Sequence, residues 1–205
     1  MNCLHITSHK KKNDGFANKM DGMYSINTNS LTNSFCLSKR LTDGVCKSCY
    51  NKRLERFTAK AFQRNSDILI QEDYQPETIM YNVIRFNSFG ELINLQHYKN
   101  IIKLVKHNPK VQFTLWSKRA DIVGLLEKPK NLITIYSSHK LNEEEKLPIG
   151  FDKVFTVYNT AFIKSNEVKI NCNKSCYACM KCYNKKDKTI YIKEQVKNSS
   201  ISFYS

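Results

Sequence analysis

The sequence predicts an α/β fold of parallel strands, arranged as an open or partial (βα) barrel. Three observations predict it. Short apolar runs with strand character recur about every 20 to 30 residues, and helical periodicity fills the gaps between them. The chain has 205 residues, enough for one sizeable core. It holds only four or five strand–helix units, too few to close an eight-stranded barrel.

The elements follow in order. Residues 1–21 are polar, with Lys10, Lys11 and Lys12 in a row, and are expected to be ordered only in part. A weak first strand is expected over 23–31. A helix is expected over 50–70, where Leu54, Phe57, Ala61 and Phe62 stand near helical spacing. Residues 79–86 read as a strand and 87–91 as a polar turn. The stretch 93–107 carries Tyr98, Ile101, Ile102 and Val105 on one helical face, and Asn108-Pro109 ends it. Residues 111–116 alternate as a strand, 120–127 are helical, and 132–136 and 154–158 are further strands. A Glu-rich helical turn is expected over 143–146, and a terminal strand over 189–193. Three units result: the polar N-terminus 1–21, the βα region 22–165, and a Cys-rich segment 166–205. That last segment is expected to be an appendage without a core of its own, folded by the group it binds.

In parallel α/β folds, function gathers at the carboxyl ends of the strands. Those ends hold Ser88, Gly90 and Glu91 after one strand, Ser117, Lys118 and Arg119 after the next, and Ser137, Ser138 and His139 after a third. Glu91 suits a substrate ammonium, or equally the start of a helix. Lys118 and Arg119 suit a carboxylate or phosphate, or plain solvent. Arg85, inside a strand, needs a partner if buried. Trp116 reads as core.

Seven of the eight cysteines fall in two groups, Cys36-x9-Cys46-x2-Cys49 and Cys172-x3-Cys176-x2-Cys179-x2-Cys182. Thiolates this close in sequence converge in space and suit a metal ion or an iron–sulfur cluster. Four ligands close a site, whereas three leave one position open. The two successive x2 gaps of the second group favour a cluster over a zinc knuckle pair, with structural zinc as the alternative. The lone Cys3 reads as incidental. No apolar run reaches the ~20 residues of a membrane span, and the Lys-rich start lacks a signal peptide's apolar stretch, so a cytoplasmic, reducing location is expected. The formal net charge of +15 invites a nucleic-acid partner. Codon bias toward Lys, Asn and Ile, and the negative charge of ligating thiolates, weaken that signal.

The first cysteine group, with Tyr50 directly after it, resembles the cluster loop of radical S-adenosylmethionine enzymes. Their common spacing is Cys-x3-Cys-x2-Cys, and the Elongator catalytic subunit family uses the nine-residue gap. The resemblance implies a partial (βα)6 barrel in which three thiolates hold a [4Fe–4S] cluster. Its open iron would bind S-adenosylmethionine, whose cleavage yields a 5′-deoxyadenosyl radical. Ser88-Phe89-Gly90-Glu91 stands where that superfamily has a Gly-Gly-Glu-type turn that contacts the methionine amino group. By that resemblance Glu91 would hold the amino group, and Ser88, Gly90, Ser117, Lys118 and Ser137 would supply polar contacts.

Most of the chain also resembles the bacteriophage "gene product 88" family. The matching stretches are residues 45–50, 85–92, 113–119, 172–183 and 189–193. Where that family commonly reads Arg-Trp-His-Asp-Ser-Gly-Asp, this chain has Arg85-Phe86-Asn87-Ser88-Phe89-Gly90-Glu91. The family's His and Asp therefore have no direct counterpart, while its cysteines are all present.

Together these imply two [4Fe–4S] clusters, with Cys36, Cys46 and Cys49 on the open-site one and Cys172, Cys176, Cys179 and Cys182 on an auxiliary one. They also imply an electron donor such as a host flavodoxin or ferredoxin, and residence in the host cytoplasm. The alternative is a non-enzymatic phage accessory protein with structural zinc or iron–sulfur, which grips nucleic acid or a host partner. A third arrangement would join the first group and one C-terminal cysteine around a single structural ion.

Overall fold

Each apolar run in the middle of the chain forms a hydrogen-bonded strand. The structure is a computed structural model and describes residues 3–9, 19–49 and 58–196. In chain order the elements are β1 (Ile6–Ser8), β2 (Tyr24–Ile26), α1 (Ser34–Arg40), α2 (Ala59–Leu69), β3 (Val83–Phe86), α3 (Leu95–His107) and β4 (Gln112–Ser117). There follow α4 (Ala120–Val123), β5 (Leu132–Leu141), β6 (Lys153–Tyr158), α5 (Thr160–Asn166), α6 (Cys176–Cys179) and β7 (Tyr191–Gln195). The strands form one sheet of seven in the order β1-β2-β3-β4-β5-β6-β7. From β2 to β7 every neighbouring pair is parallel, and β1 adds an antiparallel edge. The sheet is not closed.

Alternation along the strands divides their side chains between two cores. Ile26, Ile84, Phe86, Phe113, Leu115 and Leu132 face α2, α3 and α4, where they meet Ile68, Leu69, Tyr98, Ile101, Leu104 and Val123. The intervening residues Trp116, Ile133, Ile135 and Ile192 face the other way, against Met23, Cys182 and Tyr183. Asn94 caps α3 by accepting from the His97 N–H at 2.9 Å. Asn108 ends the helix, its amide donating to the carbonyls of Leu104 and Glu77.

Several expectations are corrected. The N-terminus carries a strand, β1, which the polarity of that stretch hid. It is held by Asn65 of α2, whose side chain accepts from the His5 N–H at 2.7 Å and donates to the His5 carbonyl at 2.9 Å. The first parallel strand is only three residues long. The polar run after it is a buried loop whose Asn, Ser and Thr side chains are hydrogen-bonded inside the protein. The early part of the expected 50–70 helix lies outside the described residues. Residues 143–146 form no helix, because those acids are used elsewhere: Glu144 pairs with Lys193, and Glu145 accepts from Ser138. Helix α5 was not expected. The Cys-rich segment is no appendage either, since Cys182, Tyr183 and Ile192 complete the second core and β7 pairs with β6 along five residues. Among the described residues, no helix is long and apolar enough to cross a membrane.

Candidate functional site

The carboxyl ends of the parallel strands surround a cavity of about 1040 Å³. Its rim is stitched together by the residues singled out there. Glu91 is buried, and its carboxylate accepts from the Ser117 hydroxyl at 2.6 Å, the Leu92 N–H at 2.8 Å and the Lys118 N–H at 2.7 Å. Burial pushes the Glu91 carboxyl up, against the three hydrogen bonds that favour its charge. The Lys118 ammonium then crosses to the next strand, donating to the Ser137 carbonyl at 2.9 Å and the Ser137 hydroxyl at 2.8 Å. One chain of polar contacts thus joins the ends of β3, β4 and β5.

Of the six residues expected to contact a cofactor, Ser88, Gly90, Glu91, Lys118 and Ser137 line the cavity. Ser117 lies beneath the lining, fully buried against Glu91. Glu91 borders the cavity, yet both its oxygens are occupied by donors from the protein itself. Gly90 has φ +81°, and a Cβ there would collide with the Thr28 carbonyl and hydroxyl. Its glycine is therefore required by the close approach of the β3 turn to the loop after β2.

The first cysteine group reaches the cavity by two routes. Cys36 lies in the first turn of α1, whose cap Asn33 accepts from the Cys36 N–H at 3.2 Å and donates to the Glu91 carbonyl at 3.0 Å. The helix then accounts for the long gap, carrying the chain away and letting it return at Gly44. There the loop is pinned to the end of β5. The Val45 N–H donates to the His139 carbonyl at 3.0 Å, and the Thr42 hydroxyl pairs with His139 Nε2 at 3.0 Å. Gly44 has φ +131°, and a Cβ there would stand 2.5 Å from the His139 carbonyl oxygen. Cys36, Cys46 and Cys49 all line the cavity. Burial pushes the Cys36 thiol far up, with Glu91, Cys49 and Cys46 adding to it. Cys46 is raised by burial too, although the Lys118 charge pulls it back.

The second group approaches from the opposite wall. Cys172, Cys176 and Cys182 line the same cavity, and Cys179 does not. Burial lifts Cys182 to about 12, aided by the nearby Cys172 and Cys176. Two cations serve this wall, Arg85, which the sequence had singled out, and Lys19, which it had not. Lys19 pairs with Glu194 at 2.6 Å and donates to the Cys172 carbonyl and Sγ at 2.6 and 3.1 Å. Arg85 spreads over the Trp116 ring, 4.0 Å from its centroid. Arg85 carried a weak sequence signal as a charge inside a strand, whereas Lys19 carried none.

Among the described residues, no three His, Cys, Asp or Glu side chains converge on a position for a single metal ion. A single zinc ion would draw its thiolates together at about 2.3 Å each, whereas an iron–sulfur cluster bonds each thiolate to a different iron. Six of the seven grouped cysteines line the cavity, Cys182 buried and the other five half-buried. Comparison with the models of known families, with curated proteins and with solved structures gave no match.

Proposed function

We propose that this chain is an iron–sulfur protein of the radical S-adenosylmethionine type, related to the bacteriophage "gene product 88" proteins. The observation that carries the reading is that six of the seven grouped cysteines, drawn from both groups, line one cavity at the carboxyl ends of six parallel strands laid side by side in chain order. That strand order suits the partial (βα)6 barrel of the superfamily, with the C-terminal segment filling its inner face.

Cys36, Cys46 and Cys49 would hold the open-site [4Fe–4S] cluster, and the second group an auxiliary one. When bound, the first cluster supplies the electron that cleaves the sulfonium of S-adenosylmethionine. The chain's own residues do the rest. Burial favours the protonated form of Cys36, Cys46, Cys172, Cys176 and Cys182 until a metal takes the proton's place, so loading releases protons and is favoured by raised pH. Glu91 holds the ends of β3 and β4 in register rather than being free as a lone carboxylate, and any ammonium it takes shares it with three protein donors. Ser88, Gly90 and Ser137 offer polar lining, and Lys118 places a cation beside Cys46. The cavity is at the upper end of the range for small-molecule sites, with room for S-adenosylmethionine and a small substrate. A flavodoxin or ferredoxin would deliver the electron.

The test is to purify the protein anaerobically and count iron, acid-labile sulfide and zinc per chain. About eight irons and eight sulfides are expected from two four-iron clusters. Reduced protein should then form 5′-deoxyadenosine from S-adenosylmethionine. Zinc without sulfide would sink the reading. The net charge of +15 favours a second one, a metal-stabilised accessory protein for nucleic acid, and in that case duplex binding would weaken steeply with salt.

A further inference from the structure

The four cysteines of the second group are not held alike. The Cys172 N–H donates to the Lys193 carbonyl of β7 at 3.0 Å. The Cys176 N–H donates to the Lys19 carbonyl at 2.7 Å, and the Cys182 carbonyl accepts from Thr114 of β4 at 3.2 Å. Each of these three is thus anchored to a different part of the domain. Cys179 is anchored only to its own turn, its N–H donating to the Ser175 carbonyl at 3.0 Å. Directly after it the chain turns through the left-handed Met180, φ +54°. Cys172, Cys176 and Cys182 border the cavity, each close enough to the others to share electrostatic influence, while Cys179 stands outside that lining. Two cations attend the three: Lys19 at 3.1 Å from Cys172 Sγ, and Arg85, whose charge acts on Cys176 and Cys182.

We propose that the second group is a three-plus-one set. Cys172, Cys176 and Cys182 hold the auxiliary cluster against the cavity. Cys179 is not a ligand, and the position it leaves takes a small anionic Lewis base seated in the cavity. The inference rests on the iron–sulfur reading and makes the auxiliary site a substrate-binding one rather than a relay. Four thiolates would close the cluster; three leave a position that faces the cavity, where the Arg85 charge favours an anion while Lys19 is paired with Glu194.

Alkylation of the anaerobically loaded protein with iodoacetamide, read by peptide mass spectrometry, tests the partition without altering the chain. Exposed Cys3 and the unligated, half-buried Cys179 should be modified, while Cys172, Cys176 and Cys182 stay protected until the iron is removed. Protection of Cys179 equal to that of Cys182 would overturn the proposal while leaving the iron–sulfur reading intact. Absence of sulfide, with every cysteine modified, would overturn both. A second arm uses variants. Cys179→Ala should retain its iron and sulfide, whereas Cys182→Ala should lose about half of each, one cluster of two. Cyanide, a small anionic Lewis base, should shift the electron paramagnetic resonance spectrum of the reduced Cys36→Ala/Cys46→Ala/Cys49→Ala protein, which keeps only the second cluster. An unshifted spectrum would mean a closed site and refute the open position.

Discussion

Gly90 and His97 show how single residues carry the rim and the core. At Gly90 the left-handed backbone and the Thr28 contact both exclude a side chain. Gly90→Ala should therefore cost more than the ~1–3 kcal/mol of the backbone strain alone, read as a fall in the urea midpoint. His97 is fully buried in α3, where Nδ1 accepts from the Ile93 N–H at 3.2 Å, and burial lowers it to about 3. The folded protein keeps this imidazole neutral, while the unfolded chain binds a proton near pH 6.5. Its contribution is therefore intact above pH 6.5 and is lost as pH falls from there toward 3. In urea titrations between pH 7 and pH 5, His97→Gln should show a shallower acid-side loss than the parent. The difference should approach about 1.4 kcal/mol per pH unit, and equal slopes would contradict the assignment.

At the scale of elements, the antiparallel edge strand is clamped by a side chain from a helix, beside its pairing with β2 and the Glu77 contact to Leu4. Asn65 is fully buried and binds both the N–H and carbonyl of His5, and it also donates to the Asn27 carbonyl at 2.9 Å. Asn65→Ala leaves those backbone groups unpaired and should destabilise the protein by about 2–4 kcal/mol. Hydrogen exchange at β1 should accelerate more than exchange at β4, which Asn65 does not touch. An equal change across the sheet would place the effect in general packing instead. Helix α1 is the other element with an outsized role, since it explains why nine residues separate Cys36 from Cys46.

For the whole molecule, the C-terminal segment belongs to the domain's core. A chain ending at Asn166 would lose β7 and uncover Trp116, Ile133 and Ile135. Because Trp116 is the sole tryptophan, its emission reports on that face directly. The truncated chain should show red-shifted emission and a tendency to associate. Native-like emission would mean that residues 22–165 fold as a separate unit.

The middle of the fold was legible in the sequence because it depends on periodicity. Strands β3 to β6 and helix α3 announce themselves through alternation and an apolar helical face, which local chemistry imposes on any such chain. Cysteine spacing likewise marked both thiol groups, since residues near in sequence stay near in space. Strand β1 and the buried loop after β2 were hidden, because their polar side chains are satisfied only by partners distant in the chain, such as Asn65 with His5. The same holds for the site. That Lys19 meets Cys172, that Glu91 is enclosed by Ser117 and Lys118, and that the two cysteine groups share one cavity all follow from strand order in the sheet. Contacts between residues far apart along the chain exist only once the sheet has formed, so only the tertiary structure could decide them.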